Sequence, residues 1–207
     1  MKILILGGTQ MIGKNFINHL IVCNKNFNIA LSNRGITNPS LFPEIPLIKI
    51  DRNIESSCSI LSNYNFDIIV DFSCYTVDQF KNTFKFLKYK KYIYISTMSV
   101  HEKNIINKPD LNNIYHKYCI NKFYIEQFIL INNINNCLII RPCAIYGDDD
   151  YTDRFYKKNN EYYWKCDDSK VGVGTMFVDN FSKFLYKHIH EYPEIGAIDV
   201  CNIWWDN

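Results

Sequence analysis

The sequence predicts an α/β fold, a doubly wound parallel sheet, on three observations. Short continuous apolar runs recur at residues 3–6, 28–32, 47–50, 67–70, 92–95 and 137–140, as strands buried on both faces require. Stretches with apolar residues at helical spacing separate these runs, and right-handed crossovers between parallel strands then wind the sheet on both sides. Finally, the residues suited to ligand contact collect where the runs end: residues 7–12, Asn33 and Arg34, Asp51 and Arg52, Phe72, Ser73 and Cys74, Thr97, and Pro142. In such sheets ligands gather at the carboxyl ends of the strands.

Taken in order, the first run ends in Gly7-Gly8 and gives way to Met11, Ile12, Phe16, Ile17 and Leu20 at helical spacing. A strand turning into a helix through small residues leaves backbone N–H groups and a positive dipole end facing one spot, which suits a pyrophosphate. Gly7, Thr9, Gln10, Met11 and Ile12 are the candidate contacts, and Gly13 lets the helix pack closely on the strand. Gln10 stands where a three-glycine fingerprint has its middle glycine. The second strand ends at Ser32-Asn33-Arg34. Pro39, Pro43 and Pro46 make the next crossover irregular. A third strand closes on Asp51-Arg52, residues 54–63 read as a helix, and a fourth strand ends at Asp71. Helical spacing of Val77, Phe80, Phe84 and Leu87 spans residues 76–87. The fifth strand delivers Thr97 and Ser99, a loop with Pro109 leads into a helix over residues 115–131, and Arg141-Pro142 stops the sixth strand. A late strand is read at residues 197–201.

Composition bounds the function. A chain of 207 residues, 47% hydrophobic and 21% charged, fits one α/β domain with a small appendage. The net charge of +2 gives no electrostatic case for nucleic acid or an anionic membrane. No apolar run reaches spanning length, and no cleavable signal pattern opens the chain. The 8 cysteines include no C-x-x-C pair, which reads as reduced thiols in a cytoplasmic protein. No metal site is expected: Asp148, Asp149 and Asp150 lack a further oxygen ligand at a diagnostic spacing and read as a solvated turn. His188 and His190 read as rim groups of an amphipathic helix, and Tyr162, Tyr163 and Trp164 as core or lobe lining.

The chemistry rests on Tyr118 and Lys122. Four residues apart on a helix, they share a face, and a nearby cation favours the phenolate of an acid/base tyrosine. With 15 tyrosines in a lysine-rich chain, about one such spacing arises by chance. What sets this one apart is its place on the helix between the fifth and sixth strands.

Gly7-Gly8-Thr9…Gly13, Thr97…Val100, Tyr118…Lys122 and Arg141-Pro142…Ile145-Tyr146-Gly147, followed by Val178-Asp179-Asn180, stand in the order found in the extended short-chain dehydrogenase/reductase family. The chain resembles most its NAD-dependent epimerase/dehydratase branch. The resemblance implies a Rossmann fold with a small C-terminal substrate lobe. Residues 1–147 would form the dinucleotide-binding domain, and residues 148–207 a short segment that returns to the main sheet without being an independent domain. It implies Tyr118 as the general acid/base of a reversible hydride transfer, Lys122 as holder of the nicotinamide ribose, and Thr97 as partner of the reacting oxygen. A hydroxyl serving only its local backbone remains the other reading of Thr97.

NAD sites usually place an acid at the end of the second strand, whereas Arg34 suits a 2′-phosphate, so NADP is favoured over NAD. Asp51 contacts adenine by the resemblance, or caps a helix. Dehydratases of the branch carry Asp-Glu after the threonine; Met98-Ser99 stands here, which disfavours dehydration. Ala144 replaces the asparagine that many nucleotide-sugar members use. Ser99, Ala144 and Arg154 are the candidate substrate contacts. The reading is an NAD(P)-dependent oxidoreductase or epimerase acting on a sugar-like, nucleotide-sugar or carbonyl small molecule. A homodimer could form through the Tyr118 helix. The alternatives are a non-catalytic dinucleotide sensor, or a relative whose Trp204-Trp205 tail docks to a partner.

Overall fold

Ile3 and Ile5 face one side of β1 (Lys2–Leu6), Leu4 and Leu6 the other, and all four are fully buried. A strand with no polar face belongs at the centre of a sheet covered twice. A computed structural model places it there and describes residues 1–23, 26–150, 152, 155–164, 174–190, 196–201 and 203–204. From β1 the chain passes through α1 (Met11–Cys23), β2 (Asn28–Asn33), β3 (Leu47–Lys49), α2 (Glu55–Cys58), β4 (Phe66–Asp71), α3 (Val77–Phe84) and β5 (Tyr89–Ile95). Then come α4 (Lys103–Asn107), α5 (Ile114–Ile131), β6 (Cys137–Pro142), β7 (Ala144–Tyr146), β8 (Phe155–Lys158) and β9 (Glu161–Trp164). The chain continues through β10 (Gly174–Phe177), α6 (Val178–His190), β11 (Gly196–Val200) and β12 (Ile203–Trp204).

Seven strands form the main sheet in the order β11-β6-β5-β4-β1-β2-β3, and every adjacent pair is parallel. The order reverses at β1, so the crossovers on its two sides lie on opposite faces. One face is covered by α1 and α6, whose Phe16, Ile17, Leu20, Phe181, Leu185 and Ile189 pack on Ile3 and Ile5. The other is covered by α3 and α5, whose Phe80, Ile125 and Ile129 pack on Leu4 and Leu6. The doubly wound parallel sheet expected from the strand pattern is the observed architecture. Two small sheets, β12-β10-β7 and the β8-β9 hairpin, complete it. Among the described residues no helix is long and apolar enough to cross a membrane, and no disulfide joins two of the seven described cysteines.

Two elements differ from expectation. Residues 54–63 form only a single α-helical turn, α2, which tightens into a 3-10 helix over Ser59–Asn63. Ser59 Oγ donates to Ser56 O and Ser62 Oγ to Ser59 O, both at 2.7 Å, so hydroxyls compete with the backbone for the carbonyls of the helix. The segment after Thr97 is not a plain loop: a 3-10 turn (Met98–His101) runs directly into α4. α3 begins at Val77 because Thr76 Oγ1 accepts the Gln79 N–H at 3.1 Å while Gln79 Oε1 takes the Tyr75 N–H at 3.0 Å.

Candidate active site

A cleft of about 1690 Å³ opens along the carboxyl ends of β1, β2, β4, β5 and β6. Its floor is the turn from β1 to α1. Gly8 sits at φ +102°, where a side chain is strained. A Cβ on Gly13 would lie 2.5 Å from Gly8 Cα, so only glycine lets α1 start this close to the strand. Thr9, Gln10, Met11 and Ile12 follow on the cleft wall with Gly7. Lys14 pairs with Asp149 at 2.5 Å and Asn15 Nδ2 donates to Asp179 at 2.7 Å, which ties the later chain against α1 beside this turn.

At one end of the cleft Asn33 Oδ1 accepts the Gly35 N–H at 2.6 Å and shapes the turn that carries Arg34. Arg34 is exposed and lines the cleft, with no hydrogen bond or ion pair to another described residue. Asp51 also lines it; its carboxylate accepts from Asn53 N at 2.9 Å and Nδ2 at 3.0 Å. That is a local turn and not a helix cap, since Ile54 occupies the cap of α2.

Arg52, expected as a cofactor contact, lines the cleft but is held from beneath. Its guanidinium forks onto the fully buried Asp71 at 2.7 and 2.8 Å, and Nε donates to Thr83 at 3.0 Å. Tyr92 OH donates to the same carboxylate at 2.5 Å. Burial alone would raise the carboxyl pKa of Asp71; the charge and hydrogen bonds of Arg52 outweigh burial and hold it below its ordinary value. Arg52 therefore borders the cleft but spends donors on Asp71 of β4 and Thr83 of α3, and the buried pairing with Asp71, nineteen residues away, is not announced by the sequence. Cys74, expected as a cofactor contact, does not line the cleft. Phe72 and Ser73 line the cleft, whereas Cys74 is fully buried in the opposite core, its thiol pushed up to about 11 by burial.

At the other end the structure brings Thr97, Tyr118 and Lys122 to the same cleft. Lys122 is 2% exposed and donates to Ile95 O at 2.7 Å. Its ammonium sits among three rings, 4.8 Å from the centroid of Tyr94, 5.3 Å from Tyr75 and 5.9 Å from Tyr118. Burial lowers its pKa to about 8. Thr97 Oγ1 accepts the Ser99 N–H at 3.3 Å, capping the 3-10 turn, and donates to Ser99 Oγ at 3.2 Å. Pro142, Ser99 and Ala144 line the wall nearby, and Arg154 lies outside the described residues.

The lining groups absent from the sequence candidates include Tyr115 and Glu102. Tyr115 precedes Tyr118 by three residues on α5 and so shares its face, a spacing visible in the sequence. Glu102 reaches the cleft from the irregular join before α4, where no periodicity marks it. Tyr115 OH donates to Glu102 Oε1 and meets Ser99 Oγ at 2.9 Å. Of the aspartates in the acidic run, Asp148 pairs with Lys157 at 2.8 Å and Asp149 with Lys14, while Asp150 accepts from Thr152 N at 2.9 Å.

The residues present fit an extended dinucleotide. The glycine turn presents backbone to an anion, and the hydroxyls of Ser32 and Ser96, each 2% exposed and bordering the cleft, have no partner among the described residues. Buried hydroxyls normally have partners, so a polar ligand is the natural complement.

No family model matches the chain, and no curated protein matches it in sequence. Solved structures do match in fold. UDP-glucuronic acid 4-epimerase from Bacillus cereus, in complex with NAD, superposes with a TM-score of 0.71 at 15% identity, over 98% of this chain and 78% of that one. ADP-L-glycero-D-manno-heptose-6-epimerase from Helicobacter pylori gives 0.69 at 16%, over 97% and 76%. A wide-type short-chain dehydrogenase/reductase from Veillonella parvula, in complex with NADP, gives 0.67 at 14%, over 97% and 94%. Fold and cleft together define a protein of the Rossmann type, with its ligand groove at the switch point of a parallel sheet. More narrowly, the fold is the one that these two epimerases and this short-chain dehydrogenase/reductase share.

Proposed function

We propose that the chain is an NAD(P)-dependent oxidoreductase or epimerase of the extended short-chain dehydrogenase/reductase family, acting on a sugar-like or carbonyl substrate. The observation that carries the reading is the convergence of Thr97, Tyr118 and Lys122 on the cleft whose floor is the glycine turn. The turn at residues 7–13 takes the pyrophosphate, Arg34 a 2′-phosphate and Asp51 the adenine side, which favours NADP over NAD. A nicotinamide bound at the other end would supply the hydride acceptor or donor. Tyr118 then takes or returns the proton of the substrate hydroxyl. Lys122, protonated at neutral pH, lies beside the Tyr118 ring and stabilises its charged form. Thr97 orients the reacting oxygen from a rigid strand end.

Residues 148–207 supply a short substrate-lobe segment that returns to the main sheet through β11. Dehydration remains disfavoured, because no acidic residue directly follows Thr97. The outer face of α5 carries Ile114, Tyr124 and Ile131, 84%, 52% and 74% exposed, and is the face through which two copies pair.

Titration with NADPH and NADH, followed by fluorescence, tests the reading when combined with a screen of carbonyl and nucleotide-sugar substrates. NADPH is expected to bind more tightly, and turnover to vanish in Tyr118→Phe. Binding without Tyr118-dependent turnover would make the chain a dinucleotide sensor instead.

A further inference from the structure

Glu102 and Tyr115 have no part in the hydride chemistry, yet both line its substrate end. Thr97 Oγ1 donates to Ser99 Oγ, Ser99 Oγ meets Tyr115 OH, and Tyr115 OH donates to Glu102 Oε1. Since the phenol spends its proton on the carboxylate, the Ser99 hydroxyl donates to the phenol oxygen, and the series of three hydroxyls points toward Glu102. Burial, and then the bond to Glu102, raise the Tyr115 pKa above its ordinary value, so the phenol stays a donor across the physiological range. Glu102 Oε2 has no partner among the described residues, so the carboxylate keeps acceptor capacity.

No described cation forms an ion pair with Glu102. Arg34 sits beyond the second strand, Arg52 is committed to Asp71, Lys14 to Asp149, and Lys122 is buried against Ile95 O. The neighbouring His116 accepts the Asp110 N–H on Nδ1 at 3.0 Å, which leaves Nε2 as the protonated nitrogen of the neutral ring. Asn113 spends its side-chain oxygen on the first N–H groups of α5.

Resting on the function proposed above, we propose that Glu102, oriented by Tyr115, determines substrate specificity: it accepts hydrogen bonds from hydroxyl or ammonium groups on the part of the substrate beyond the reacting carbon, and turns away molecules carrying a carboxylate or phosphate there. A like charge brought close, or a hydrogen-bonding partner lost, is the physical source of such discrimination. The competing role, a staple that only joins the α4 segment to α5, predicts no dependence on ligand charge.

The test is isothermal titration of the NADP-saturated protein with D-glucosamine, D-glucose and D-glucuronate, beside an NADPH fluorescence titration of the same samples. Wild type is expected to bind glucuronate about tenfold more weakly than glucose, and glucosamine at least as well as glucose. Glu102→Gln should erase the glucuronate penalty, and Glu102→Lys should invert the order. Tyr115→Phe should weaken glucose and glucosamine while keeping the order, since the charge remains. The inference is overturned if wild type binds glucuronate as well as glucose, if Glu102→Gln keeps the order, or if none of the three sugars binds while NADPH does. Failure of wild type to bind NADPH at all would overturn the underlying function.

Discussion

Replacing Arg52 by methionine leaves the Asp71 carboxylate, fully buried, with only the Tyr92 hydroxyl and the Ser73 N–H as partners among the described residues. Methionine fills much of the same space, so the cost is that of an uncompensated buried charge. Breaking a buried pair from one side costs about 3–5 kcal/mol. For a chain of 207 residues that corresponds to a melting-temperature drop of about 10 °C. Arg52→Met/Asp71→Leu should recover most of the loss, because two matched apolar groups replace the pair.

The pH dependence has a definite sign. In wild type the folded-state pKa of Asp71 is depressed, so its contribution is present above the unfolded-state value and disappears as pH falls through the folded-state value. In Arg52→Met the same carboxyl is raised by burial, and the variant gains stability as pH falls. The gap between the two proteins in urea unfolding must therefore shrink on acidification from neutral pH. A gap below about 1 kcal/mol at neutral pH, or one that widens in acid, would refute the buried-pair account. Loss of NADPH affinity at unchanged stability would return Arg52 to the ligand.

The remaining predictions are simpler. Lys122 titrates near 8 in the folded protein against 10.5 ordinarily, so its buried charge penalises folding below pH 8 and that penalty is relieved as pH rises toward 10.5. Wild type should therefore gain up to about 3 kcal/mol on Lys122→Met across that window, read as the difference between their urea-unfolding free energies. A flat difference would place the ammonium in solvent. Gly13→Ala puts a Cβ 2.5 Å from Gly8 Cα and must push α1 off the turn; NADPH affinity should fall at least about tenfold by fluorescence titration, with about 1–3 kcal/mol of stability lost. Arg34→Ala should weaken NADPH about tenfold and leave NADH unchanged. Equal effects on both would dissociate Arg34 from the 2′-phosphate.

What the sequence made legible was what depends on local pattern. Apolar runs announced the parallel strands, and glycines announced the β1–α1 turn, because each feature is decided within a few residues. Tyr118 and Lys122 were legible for the same reason, their pairing being a property of one helix. The Arg52–Asp71–Tyr92 cluster was not, since it joins the end of one strand to two others. Charge at a strand end reads alike whether it meets a ligand or a buried partner. Ser59 and Ser62, which tighten the helix predicted over residues 54–63, showed only as ordinary polar residues. The β8-β9 hairpin could have been read: Asn159 and Asn160, at φ +52° and +63°, are the residue type that a two-residue turn with positive φ favours. Glu102 had no such signal, because it reaches the cleft from an irregular segment whose path depends on the packing of α4 against α5.

The central claim is that this cleft holds a nicotinamide dinucleotide with Tyr118 at its reacting end. The most direct measurement is NADPH fluorescence on wild type, Tyr118→Phe and Gly13→Ala together. The account predicts saturable binding that survives removal of the phenol and collapses when the glycine turn is blocked. NADPH that fails to bind wild type, or binds Gly13→Ala equally well, would contradict it.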